Sequence, residues 1–454
     1  MNVFIDFARQ FGRFQRNAKL YLINTALGGV TTGILLILYN LYLTSLGYGT
    51  DFVGLVLFIG TIGGGIAIFP AGYIIDRVRA KPILIASNLL IALVGIGQIL
   101  FRQPVPLLVT SFLAGIALVF TVVINAPFLT RNSVPEERPG LFSVNISLGL
   151  ITLVVGEVVG GALPVWFRSQ GWLMASFPSW ASALLAGQPE ARSYQLALLF
   201  AGLIAAPSLV PLFLMREARR PSIGRPASDR PASGDPSPGR PQGVSLHIDK
   251  THPTGWVGGM VRTPFFFLAL VYVITGLGAG LVIPYLNIFF VHHLHASSVL
   301  FGLVDGGANA ATALLTLVAP WLAARVGRIR AIVLTRLLSI PLLLTIGLVG
   351  IVPLAALLYP FRQGIMDMSN GVLQVYSMEV VEERYRGLAN SAYQAAFQVP
   401  WALTASLGGL LIAHFGYTLP FLLTALCYMA AIGILWGRFS VKSPQTNALS
   451  SELK

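Results

Sequence analysis

The chain has 454 residues, of which 55% are hydrophobic and only 10% charged. That balance excludes a soluble globular domain and fits a polytopic membrane protein. A formal charge of +13 would point to nucleic acid in a soluble chain, but here its placement decides its meaning, and the sole cysteine, Cys427, excludes a disulfide framework.

Residues 1–19 read as a cytoplasmic N-terminal segment. Phe4, Phe7, Phe11 and Phe14 recur at helical spacing opposite Arg9, Arg13 and Arg16, the pattern of an amphipathic helix on a membrane surface or of a plain basic lead-in. No cleavable leader is expected, because this segment runs directly into a full-length span. Apolar runs long enough to cross a bilayer follow at about 20–46, 52–75, 82–101, 104–130, 141–166 and 193–215, making an N-terminal half over 20–216. The Pro-, Gly-, Ser- and Arg-rich stretch 217–261 is expected to be a disordered cytoplasmic linker. Six more runs, at about 263–291, 297–323, 331–350, 353–379, 387–413 and 417–437, form a C-terminal half over 262–440, before a cytoplasmic tail at 441–454. The expected fold class is an all-α polytopic membrane protein with twelve transmembrane helices.

Basic residues set the orientation. With both termini in the cytoplasm, 25 of the 30 Lys and Arg fall on the inner side, and only Arg102, Arg168 and Arg192 on the outer. Arg336 and Arg362 lie within spans. The positive-inside rule accepts this orientation and rejects its inverse, in a plasma membrane (the inner membrane of a bacterium). The charge then reports topology and anionic lipid, with no nucleic-acid partner.

The two halves repeat one another at an offset of about 247 residues: Gly29, Gly33 and Asn40 match Gly276, Gly280 and Asn287. "DRVRAK" from Asp76 answers "ARVGRI" from Ala324, and "VPEER" from Val134 answers "VVEER" from Val380. Six helices are duplicated in parallel orientation.

Two parallel six-helix repeats with a cytoplasmic linker resemble the major facilitator superfamily of secondary transporters. "GYIIDRVRAK", Gly72 to Lys81, is similar to the family signature between helices two and three, with Arg79 where a glycine is usual. The counterpart "PWLAARVGRIR" keeps that glycine, Gly327, and has Ala324 in place of the aspartate. The resemblance implies a cytoplasmic gate built from Gly72, Asp76, Arg77, Glu136, Arg138, Arg325, Arg328, Glu382 and Arg384. Asp76 is placed to cap a helix of the other half, and the basic residues to pair with Glu136, Glu137, Glu382 or Glu383. The alternative is a solvated topogenic loop, worth little energetically.

In the fifth run, "LVVGEVVGGAL" sets Glu157 among valines and glycines, where a carboxylate costs roughly 2.5 kcal/mol or more. "GEVVGG" resembles the helix-five motif Gly-Pro-x-x-Gly-Gly of drug/proton antiporters, with Glu157 in place of the proline. Its glycines allow close helix packing, and the resemblance implies contact with helix eight. There Asp305, Asn309, Thr312 and Thr316 share one face. Glu157 and Asp305 lie at similar depth, and two close carboxylates in low dielectric cannot both stay ionised. Glu157, Asp305 and Asp367 are therefore the proton-coupling candidates. Local hydrogen bonding of a neutral Glu157, or pairing with Arg362, are the alternatives.

Helix ten puts Gln363, Asp367, Asn370 and Gln374 along one face, with Arg362 near mid-membrane, and helix eleven adds Asn390, Gln394, Gln398 and Trp401. With Asn309 these are the substrate-cavity candidates, since the resemblance places helix ten at the central cavity; interhelical bonding is the alternative. Asn40, Asn125 and Asn287 are weaker candidates. The helix-four arginine of the antiporter signature is absent, Ser111 standing near its place. "HHLH", with His292, His293 and His295, reads as a solvated outer loop before a metal site, and Trp172, Phe177 and Trp180 as an outer aromatic belt.

No H-E-x-x-H, G-x-S-x-G or G-x-x-x-x-G-K-[ST] occurs, so no enzyme, cofactor or resident metal is expected. The expected function is secondary active transport of a small organic solute by a monomer in membrane lipid. Proton-coupled efflux of amphipathic compounds is one form, uniport or symport of a polar or anionic metabolite another. A receptor or lipid scramblase on the same fold is the competing class.

Overall fold

The computed structural model describes residues 14–134, 137–171, 184–215, 263–382 and 386–439. Phe4 to Phe11 of the basic lead-in, Trp172, Phe177, Trp180, Glu136, Glu383, Arg384, the linker 217–261 and the tail lie outside the described residues, as does the side chain of Asp76.

The N-terminal half contains α1 (Arg16–Ser45), α2 (Thr50–Arg77), α3 (Ala80–Leu100), α4 (Pro104–Arg131), α5 (Arg138–Ser169) and α6 (Pro189–Ala205), the last continued by a 3-10 turn and the short helix Leu209–Leu214. The C-terminal half contains α7 (Pro264–Val282), α8 (Ser298–Val326), α9 (Arg328–Val349), α10 (Val352–Glu379), α11 (Arg386–Phe415) and α12 (Thr418–Phe439). No strand occurs among the described residues. Eleven of these helices are long and apolar enough to cross a membrane. The exception is α10, whose 28 residues suffice in length but carry Arg362, Asp367 and a run of amides.

Local chemistry sets several boundaries. Pro264 opens α7 at its first turn, where its missing N–H costs nothing, and the Thr263 hydroxyl accepts from the Phe266 N–H. The α8–α9 connection is one residue, Gly327, at φ 91°, a conformation that disfavours any side chain. The matching α2–α3 loop turns through Val78 and Arg79 in extended conformations, so the arginine in the glycine's usual place meets no steric obstacle. One departure from the apolar pattern is in α7, which that pattern predicts as a continuous span over 263–291. Pro284 cannot donate to the preceding turn; the helix passes into a 3-10 turn, Ile283–Tyr285, and ends in a π turn, Phe289–His293.

Packing follows the sequence repeat. In the first half α1 packs on α5 and α6, and α4 on α2 and α3; in the second α7 packs on α11 and α12, and α10 on α8 and α9. The halves meet through α5 against α8 and α2 against α11. Large apolar side chains such as Leu93, Leu203 and Leu317 are exposed on the outside of the bundle, as lipid contact demands.

The apolar interior is continuous between the halves at one end only. One cluster joins Ile37, Leu41 and Val53 to Leu286, Phe289 and Phe421, whereas Tyr21, Leu84, Phe128 and Leu212 form a separate cluster in the first half. The second cluster lies at the end where residues 215 and 263 leave the bundle, called here the linker end. The halves are joined at the far end.

Candidate functional site

Two seams close the far end, and the repeat relates them. Ser298 on α8 donates to the Gly161 carbonyl on α5 at 2.8 Å; Thr50 on α2 donates to the Gly409 carbonyl on α11 at 2.9 Å. Ser298 and Thr50 are 248 residues apart in sequence, as are Gly409 and Gly161. A methyl added at Gly161 would meet the Ser298 carbonyl, and one at Gly409 the Thr50 carbonyl, so both contacts require glycine. Between the seams Asn40 donates to the Pro284 carbonyl at 2.8 Å and Asn287 to that of Ile37 at 3.1 Å, with the two side chains 3.5 Å apart. These asparagines are repeat-related and touch, which puts them on the pseudo-twofold axis. They bind the seam together, and neither is among the residues lining the cavity beside Arg336. Asn125 likewise accepts from Asn145 of the neighbouring α5, at 3.5 Å.

One seam carries more than its twin. Glu157 is fully buried, and both its carboxylate oxygens accept from Asn309 Nδ2 on α8, at 2.8 and 3.0 Å. The repeat-related positions hold Ala405 and Thr61, and that seam closes without a charge. Gly156 and Gly160 of the "GEVVGG" stretch pack on Val30 and Ile34 of α1, while Gly161 faces α8. The glycines thus wedge α5 between two helices and aim Glu157 at the other half.

Asp305 lies one turn from Asn309 on α8, but its own hydrogen bond comes from the Tyr359 hydroxyl of α10, at 2.8 Å. The two carboxyls are not direct partners; Asn309 and Tyr359 each take one. Nor does Arg362 pair with Glu157. It is 2% exposed, donates from Nη1 to Gln363 at 2.9 Å, and leaves Nε and Nη2 without a hydrogen bond.

From Arg362 a chain of polar groups runs down α10. Gln363 accepts from Arg362 and donates to Asp367 Oδ2 at 2.6 Å. Asn370 donates to Asp367 Oδ1 at 3.1 Å and accepts from Arg336 Nη2 at 3.2 Å. Both amides point their oxygen at a guanidinium and their nitrogen at the shared carboxylate, so every dipole favours the charges beside it.

Arg336 opens on a cavity of about 210 Å³ toward the linker end of the C-terminal half. Tyr272 and Thr275 of α7, Asn370 and Gln374 of α10, and Asn390 and Gln394 of α11 give it polar walls; Tyr393 and Phe397 give it an aromatic one. Gln398 and Trp401, expected with them, are not among its lining residues, and Asn309, Arg362 and Gln363 lie in the seam and the polar chain. Arg336 is absent from the cavity residues expected from sequence. Its signal is the one that marks Arg362, an arginine inside an apolar run, "LTRLLS".

At the linker end four gate candidates have contacts within their own half. Arg77 lies over the Tyr73 ring, Arg138 donates to the Thr130 carbonyl, Arg325 lies over Trp321, and Arg328 pairs with Glu379. Gly72 has open space where a Cβ would sit, and Glu382 is exposed. The histidines diverge: His292 bonds Thr44 of α1 at 3.0 Å, and His293 stacks on Phe289 and lies tilted against Tyr417. Among the described residues no group of three His, Cys, Asp or Glu is arranged for a metal ion.

The family model described as Major Facilitator Superfamily matches residues 21–267 and 268–453. No curated protein matches the sequence. Among solved structures, a bacterial homologue of the human lysosomal transporter Spinster, inward-facing and unoccupied, is 14% identical with a TM-score of 0.66, over 95% of this chain and 96% of that one. A bacterial homologue of the iron transporter ferroportin, inward-facing, is 17% identical with a TM-score of 0.67, over 93% and 98%. A D-xylose–proton symporter is 14% identical with a TM-score of 0.62, over 93% and 97%. At such identities the likeness concerns the fold alone.

Proposed function

Because the chain belongs to the major facilitator superfamily, we propose that it moves a small organic solute across a membrane by alternating access, with Glu157 coupling that movement to a proton. The observation that carries this reading is the uneven pair of seams. Closure of the far end needs only the serine and threonine bonds and the glycine contacts, which both seams have; the Glu157–Asn309 pair has no counterpart. A buried carboxylate that the fold does not require is a functional group by default.

The solute is held in the C-terminal cavity beside Arg336, reached from the linker end. The excess of Lys and Arg at that end supports a cytoplasmic linker and termini, which makes the arrangement inward-facing. We take α10 as the twelfth span, because it packs on α8 and α9 and turns its polar side to the cavity. To expose the cavity on the other side, both seams must part. Protonating Glu157 replaces one of its two acceptor oxygens by a hydroxyl, which weakens its hold on Asn309 and eases that parting.

Saturable, solute-specific flux into proteoliposomes containing the full-length protein is the expected result. Lipid scrambling, or solute binding without flux, would replace the transport reading with a scramblase or a receptor.

A further inference from the structure

The reading of the cavity as the solute site can be taken to the chemistry of the solute. Among the described residues Arg336, 3% exposed, is the one charged side chain lining the cavity. The carboxylate it feels is Asp367, one amide away through Asn370. Arg362 leans on the same carboxylate through Gln363. Two buried guanidiniums therefore share one carboxylate. The next acidic group, Asp305, lies on α8 and accepts from Tyr359, and Glu157 is engaged by Asn309 in the seam. A buried charge short of a counter-charge is costly, and a bound anion removes that cost. One further group on the cavity wall awaits a partner: the Tyr393 hydroxyl makes no hydrogen bond. Tyr393 lies against Tyr272, ring centroids 5.1 Å apart, so the cavity wall offers aromatic faces beside the cation.

Resting on the transport reading, we propose that the cavity takes a small organic monocarboxylate with a planar apolar body, its carboxylate beside Arg336 and its body against Tyr272, Tyr393 and Phe397. One negative charge balances the two arginines and Asp367; a phosphate dianion would overshoot, and a bare halide would leave the aromatic wall uncovered.

The test is isothermal titration of the purified full-length protein with acetate, benzoate and 2-naphthoate, against benzamide, benzamidinium and chloride. At least one aromatic carboxylate should bind at least tenfold more tightly than its neutral and cationic isosteres and than chloride. Arg336→Gln, which keeps a hydrogen-bonding side chain without the charge, should lose at least tenfold of that affinity, and Arg336→Lys should retain part of it. Equal binding of benzamide, benzamidinium or chloride, no binding of any carboxylate, or unchanged benzoate affinity in a folded Arg336→Gln protein would each overturn the proposal. The selectivity of the wild-type protein decides the matter even where a variant fails to fold. Flux separates the two readings: transport of a neutral or cationic solute alone defeats the monocarboxylate inference and leaves transport standing, whereas carboxylate binding without flux defeats transport.

Discussion

Glu157 and Asn309 are joined across the boundary between the two halves, a single amide nitrogen donating to both carboxylate oxygens at 2.8 and 3.0 Å. Ala405 and Thr61, at the repeat-related positions, make no such bond. Duplication supplies a structural control inside one molecule: what both seams have serves closure, and what one seam has alone serves something else.

Asn309→Ala removes the donor and leaves a buried carboxylate unsatisfied, a loss of about 1–3 kcal/mol from the far-end-closed state. The population should move toward far-end-open. Spin labels at Gln103 and His414, in a Cys427→Ser background, should report a longer far-end distance than in the parent. Adding Glu157→Gln should shorten the distance part of the way back, because a neutral amide is cheaper than a carboxylate to leave unsatisfied there.

Gly161→Ala places a methyl against the Ser298 carbonyl and within 3.1 Å of the Gly302 Cα. Backbone on both sides cannot yield cheaply, so α5 and α8 should separate and flux should fall at least tenfold. Gly433→Ala on α12 meets nothing within 4 Å. It should leave flux unchanged and stabilise the helix by about 0.5–1 kcal/mol, seen as an equal or higher thermal unfolding midpoint.

Asn370→Leu cuts the link between Arg336 and Asp367 while leaving both seams intact. The solute concentration for half-maximal flux should rise at least tenfold, with the far-end distance unchanged. A change confined to maximal rate would show that the polar chain does not shape the binding site.

Tyr359→Phe strips Asp305 of its hydrogen bond, a loss of about 1–3 kcal/mol. The thermal unfolding midpoint should fall, and Asp305→Asn should restore part of the loss in the Tyr359→Phe background, because a neutral amide is cheaper to leave in that place.

The spans, the repeat and the depth of Glu157 are legible in the sequence because each is a property of one helix: hydropathy, an offset, a count of turns. What faces what is not, since rotation about a helix axis is set by packing. Asp305 and Asn309 are one turn apart on the same face of α8, yet one bonds α10 and the other α5. Asn40 and Asn287 read as isolated polar residues until the pseudo-twofold axis brings them together. Arg336 and Arg362 carry the same sequence signal, and only packing, with Arg336 bonded to Thr275 of α7 and to Ser369 and Asn370 of α10, puts Arg336 on the cavity wall. The break in α7 escapes the hydropathy pattern because its residues are apolar on both sides of Pro284, whose effect is on backbone hydrogen bonding.

The most direct test of Glu157 as the coupling residue is proton movement driven by a transported solute in proteoliposomes, wild type against Glu157→Gln. Coupling through the seam predicts that wild type moves protons with solute, and that the variant moves solute without protons. Undiminished proton movement per solute in the Glu157→Gln protein would contradict it.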